Sequence, residues 1–224
     1  MLPILGRPIL ELMIERLRRV RLLDEVVIAT STDPSCQVIE ELACRLRVGC
    51  YRGSEDDVLD RVLQAARSAD AGLIVETTGD CPLLDPEVVD RVIEAFQSSQ
   101  VDYCSNVLER TYPRGMDVQV FPLRVLEEVA GITQDPVDRE HVSLYIYEHP
   151  ERYRLHNVAS DLPQKYWDLR LTVDTAEDFA LIRTIYEELY PQKPAFGLLD
   201  VLELLERRPE LVQINRHIQQ KPVR

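Results

Sequence analysis

LIVETTGDCPLLDPEVV, residues 73–89, is the stretch that decides the fold. Leu73, Ile74 and Val75 form the short apolar run of a buried strand. Gly79 permits a sharp turn, and Pro82 stops a helix from absorbing it. Asp85-Pro86 then opens a helix whose apolar stripe is Val88, Val89, Val92 and Phe96. Asp80 is thereby left at the carboxyl end of a strand, the side on which open α/β sheets bind ligands. The arrangement recurs much later: Leu169-Arg170-Leu171-Thr172-Val173 reads as a strand, with Asp174 at its end. Two such carboxylates, distant in sequence, can converge on one divalent cation.

Outward from this stretch, strands and helices alternate. Leu10, Met13, Leu17 and Val20 recur at helical spacing, with Pro8 at the favoured first-turn position. EVVIAT (25–30) reads as a buried parallel strand, and Asp33-Pro34 opens a helix bearing Val38, Ile39, Leu42 and Leu46. Cys50-Tyr51 is a short strand. Ser54-Glu55-Asp56-Asp57 caps the next helix in S-x-x-D fashion, with Val58, Leu59, Val62 and Ala66 buried. This rhythm predicts an α/β fold, a mostly parallel sheet with helices on both faces.

The rhythm changes after residue 100. Residues 101–106 and 116–121 read as strands, and a helix is expected from Asp135 to His149. Another strand is expected at 153–158. Thr175-Ala176-Glu177-Asp178 is a capping box for a helix carrying Phe179, Ile182, Ile185 and Leu189. Short helices at 198–206 and 209–217 form a tail from 191 to 224. With no repeat, linker or low-complexity tract, residues 1–224 are expected to form a single domain.

A formal net charge of −13 disfavours a nucleic-acid partner, which needs a basic face. Five scattered cysteines, without C-x-x-C or zinc-like spacing, read as reduced thiols of a cytoplasmic protein. No apolar stretch reaches membrane-span length, and Arg7, Glu11 and Glu15 interrupt any signal peptide.

Eight segments together resemble one family. They are Pro3-x-x-Gly6-x-Pro8, EVVIATSTD (25–33), YRGSEDDVLDR (51–61), TGDCPLLDP (78–86), DYCSN (102–106), RGMDVQVF (114–121), REHVSLYI (139–146) and LRLTVDTAEDF (169–179). In this order they resemble the spore-coat polysaccharide F-type branch of the acylneuraminate and 3-deoxy-octulosonate cytidylyltransferases. The resemblance implies a nucleotide-diphospho-sugar transferase fold and CMP transfer from CTP to a sugar or sugar acid. It implies Mg²⁺ held by Asp80 and Asp174, and a nucleotide beside Arg52, Gly79 and Asp80. It places Gly115, Asp117 and His141 on the acceptor-sugar side, and a homodimer interface within 101–168.

Each assignment has a plainer counterpart. Asp80 could cap a turn, and Asp174 the following helix. Asp178 reads better as a capping residue than as a ligand. Ser54 to Asp57 suit the helix dipole without any further role. Gly115 and Asp117 could be a turn glycine and an outward strand residue. His149, His156 and His217 have no partner pattern, and Cys81 reads as a packed thiol. The family's first strand and its Gly- and basic-rich loop precede the P-x-x-G-x-P element, whereas this chain starts at Met1, just before it. We therefore expect Met1 to be internal to a longer chain, and the sheet to show a gap where that strand belongs. A glycosyltransferase on the same architecture, and a non-catalytic remnant that binds or dimerises, are the competing readings.

Overall fold

The computed structural model describes residues 2–221. A short hairpin, β1 (Pro3–Ile4) with β2 (Arg7–Pro8), leads into α1 (Ile9–Leu17). Strand β3 (Val27–Ser31), helix α2 (Gln37–Leu46), strand β4 (Gly49–Gly53) and helix α3 (Val58–Ser68) follow. Next come β5 (Leu73–Glu76), α4 (Pro86–Ser98), β6 (Tyr103–Ser105), β7 (Gln119–Pro122) and α5 (Leu123–Ile132). The chain continues through α6 (Pro136–Glu140), α7 (Leu144–Glu148), β8 (Leu155–Asn157), α8 (Ala176–Leu189) and α9 (Leu198–Arg207).

The expected α/β layering is present, but the sheet is less parallel than the alternation suggests. β3 and β4 form a parallel pair. The larger sheet runs β5-β7-β6-β8, with β7 antiparallel to both of its neighbours and β6 parallel to β8. β7 returns beside β6 without a crossover helix, so it must run against it. Among the described residues no backbone hydrogen bond joins β3 to β5, which leaves each with one unpaired edge.

Helices cover both faces. Strand alternation sends Cys104 and Val120 into one cluster with Val88, Val92, Ile182 and Val201. It sends Tyr103 and Phe121 into a second cluster with Leu59, Leu63, Val125 and Ile146. Asp85, buried at the start of α4, accepts from the Glu87 amide at 2.9 Å and also from the Leu198 amide at the start of α9. One carboxylate thus satisfies orphan N–H groups of two helices.

Several local readings are corrected. The strand expected at 116–121 begins only at Gln119. Before it, side chains replace the ladder: Asn106 Nδ2 donates to the Met116 carbonyl at 2.6 Å, and Ser105 Oγ to that of Val118 at 2.9 Å. The helix expected over 135–149 is broken between α6 and α7, where Val142 adopts φ 37°. That turn buries Val142 in the second cluster and lets Ser143 Oγ donate to Gln119 Oε1 at 2.5 Å. The cap of α3 is Asp57, accepting from the Asp60 amide at 3.0 Å, while Ser54 Oγ accepts from Asp57 N just before it. In place of a helix over 209–217 there is one 3₁₀ turn, Leu211–Gln213.

Glu76, at the end of β5, is partly buried, and its carboxylate accepts from Gln119 Nε2 at 3.4 Å. Burial pushes its carboxyl up to about 8. The folded protein therefore binds this proton more tightly than the unfolded chain, whose glutamate titrates near ~4.3. The stabilising contribution is whole below that value, falls as pH rises through about 8, and is absent above it. Denaturant melts of Glu76→Gln should accordingly lack this decline between about pH 4 and pH 8, leaving the variant more stable than wild type above pH 8.

Candidate active site

The chain between Leu169 and Asp174 carries the alternation of a strand but forms no ladder; a single parallel bridge, Arg114 with Arg170, is its only sheet-like pairing among the described residues. Its neighbours on both sides are turns, so each contributes isolated bonds instead. Arg114 N donates to Leu169 O at 2.9 Å, and Leu171 N to Arg114 O at 2.8 Å. On the other side Val173 N donates to Asp80 O at 2.9 Å. Gly115, at φ 96°, makes this approach possible, since a Cβ there would stand 2.4 Å from the Leu171 carbonyl oxygen.

This clamping brings Asp80, four residues beyond the end of β5, and Asp174 together. Asp80 and Asp174 line one cavity of about 60 Å³, with Thr78, Arg114, Gly115 and Asp117 around it. Thr172 Oγ1 donates to Asp80 Oδ2 at 2.7 Å and fixes that carboxylate. Asp174 Oδ2 accepts from Arg170 Nη2. Behind them Arg170, almost wholly buried, places Nε 2.9 Å from Oδ1 of the fully buried Asp178. Asp178 completes the capping box of α8 with Thr175 and also accepts from Asn215 Nδ2 at 2.8 Å. Burial works to raise the Asp178 carboxyl, but the bonds from Arg170, Asn215 and the Asp174 amide overcome it and hold the group below the usual carboxylate range.

The remaining sequence candidates are placed unequally. Asp117 lines the cavity but is engaged by Arg110 through two parallel bonds of 2.7 and 2.9 Å. Gly79 lies in the turn before Asp80 without a left-handed φ, so the turn does not demand glycine there. Arg52 is elsewhere, donating to Ser31 O, Asp33 O, Gln37 and Glu40, and it closes the loop after β3. His141 is exposed at the end of α6 and does not line the cavity. Cys81 is a buried thiol whose proton is held tightly by burial.

Reading the sequence missed Thr172, Arg170 and Arg114. The first two were signalled by the alternation Arg170, Thr172, Asp174, which puts three polar groups on one side of an extended segment. Gln220, whose Oε1 accepts from Arg170 Nη1 at 2.5 Å, had no signal at all. No group of three or more His, Cys, Asp or Glu is placed to hold a metal among the described residues.

The sequence pattern of the cytidylyltransferases matches residues 1–215, nearly the whole chain. The chain belongs to the cytidylyltransferase family. A cytidylyltransferase of known structure from Leptospira borgpetersenii is 32% identical and superimposes with a TM-score of 0.89, over 98% of this chain and 91% of that one. An uncharacterized protein of Methanocaldococcus jannaschii is 34% identical over 97% of this chain and 88% of its own length. The spore coat polysaccharide biosynthesis protein SpsF of Bacillus subtilis is 29% identical over 93% of this chain and 87% of its own. Membership makes the protein a nucleotidyltransferase, and no helix among its described residues is long and apolar enough to cross a membrane.

Proposed function

We propose that this cytidylyltransferase moves CMP from CTP to a hydroxyl of a sugar or sugar acid, releasing pyrophosphate, with Mg²⁺ as cofactor. The single observation that carries the reading is the cavity shared by Asp80 and Asp174, inside a chain that matches the family over residues 1–215. Two relatives give the acceptor its class. SpsF is named for spore coat polysaccharide biosynthesis, and a 24% identical protein of Geobacter metallireducens is a 3-deoxy-manno-octulosonate cytidylyltransferase. A surface-polysaccharide sugar is the corresponding substrate here.

The donor set fits a hard cation. Each carboxylate has one oxygen engaged by Thr172 or Arg170; of the other two, Asp80 Oδ1 accepts only from the weak thiol donor of Cys81 at 3.5 Å, and Asp174 Oδ1 makes no hydrogen bond among the described residues. Two such oxygens suit Mg²⁺, which binds few carboxylates and completes its octahedron with water and phosphate oxygens. When bound, the ion would supply charge neutralisation at the reacting phosphate.

The protein's own part is positioning. Thr172 and the Val173–Asp80 backbone bond fix Asp80 in direction, and Arg170 fixes Asp174. In-line attack of a hydroxyl on the α-phosphorus asks for such fixed placement more than for covalent chemistry. Pyrophosphate release from CTP, measured with 3-deoxy-manno-octulosonate and with other nonulosonic or octulosonic acids, tests the proposal. Release that requires both CTP and a sugar supports it; nucleotide-sugar consumption without pyrophosphate would instead favour a glycosyltransferase. Homodimerisation through residues 101–168 belongs to the same proposal and is read by sedimentation.

A further inference from the structure

Arg114 lines the cavity with Arg110 and Arg170 near enough to repel it, and of the three only Arg114 makes no ion pair among the described residues. Arg110 is held by Asp117 in a two-bond fork, and Arg170 by Asp174 and Asp178. Arg114, which lines the cavity itself, has no hydrogen bond or ion pair to its guanidinium among the described residues. It is partly buried; burial and the neighbouring Arg110 and Arg170 pull its pKa down, against the opposing charges of Asp117 and Asp168. Its backbone is nevertheless fixed, by bonds at both N and O and by the close packing of Gly115 against Leu171.

A partly buried cation on a rigid base, lining a cavity and bonded to no carboxylate among the described residues, keeps its N–H donors open to an anion. We propose that Arg114 is a substrate-binding residue that grips an oxyanion, a phosphate of the nucleotide or a carboxylate of the acceptor, through its planar N–H fork. The guanidinium geometry matches both groups, each of which presents two oxygens in one plane. With a divalent cation on the two aspartates, this side chain turns an acidic cavity into one that attracts an anion. The inference rests on the cytidylyl-transfer reading for the identity of the ligand, and on the unpaired guanidinium for the site.

Calorimetric titrations of wild type and Arg114→Met with CTP, cytidine and 3-deoxy-manno-octulosonate, all in magnesium, test it. The expected result is a loss of about ten-fold or more for a charged probe, with cytidine unchanged. A loss confined to CTP assigns the phosphate, and one confined to the octulosonate assigns the carboxylate. A loss for both supports the same oxyanion site. Arg114→Lys, which keeps the charge without the fork, should recover only part of the affinity. Equal binding by wild type and Arg114→Met overturns the proposal, as does a loss for cytidine as large as that for CTP. If wild type binds none of the three, the cytidylyl-transfer reading fails, and Arg114 is judged on inorganic pyrophosphate. Binding lost in Arg114→Met then upholds the site, and no binding by wild type rejects it.

Discussion

Replacing Asp80 by Asn removes pyrophosphate release almost completely, with a fall of about a thousandfold, equivalent to about 4 kcal/mol of transition-state stabilisation. The fold should be little affected. The amide keeps an oxygen for Thr172 Oγ1, and the backbone carbonyl of residue 80 still accepts from Val173 N. What is lost is the negative charge that pairs with Asp174 across the cavity. Initial rates at saturating CTP, beside a thermal melt matching wild type, separate this loss from unfolding. Turnover near wild type would remove Asp80 from the reaction.

Arg170→Met should have the largest effect on stability. Arg170 is the only cation bonded to Asp178 among the described residues, and both side chains are buried. Cutting one partner of such a pair leaves an uncompensated charge and costs about 3–5 kcal/mol. The acid then relieves itself by binding a proton, so the variant should recover as pH falls, whereas wild type weakens there. The sign follows from the depressed Asp178 carboxyl, whose contribution is present above the unfolded aspartate value of ~3.9 and lost as pH drops through the folded one. Denaturant melts between neutral and acidic pH measure both trends. A variant as stable as wild type at neutral pH would mean that Asp178 is satisfied by Asn215 and backbone amides alone.

These two positions also show what the sequence could and could not disclose. Asp80 was legible because an apolar run, a turn glycine and a capped helix left it one place to stand, at a strand end. The Thr175 to Asp178 capping box was legible for the same local reason. Arg170 was hidden in plain view: read as one residue of a strand, it is the centre of a network that reaches Asp174, Asp178 and Gln220. Networks of that kind depend on tertiary closure, here of a segment near residue 215 onto one near 170. The direction of β7 was equally out of reach, since a period-2 pattern looks the same in parallel and antiparallel pairing. Arg52 went the other way. A basic residue in a family motif suggested the nucleotide, yet its four bonds go to the end of β3, the loop after it and α2.

The account rests on Asp80 and Asp174 acting together on one ion with the nucleotide. Manganese, read by electron paramagnetic resonance of the free ion, can be titrated into wild type, Asp80→Asn and Asp174→Asn in the presence of CTP. Wild type should take up a single tightly held ion beyond what CTP alone binds, and each variant should lose it. Uptake by both variants equal to that of wild type would contradict the shared site.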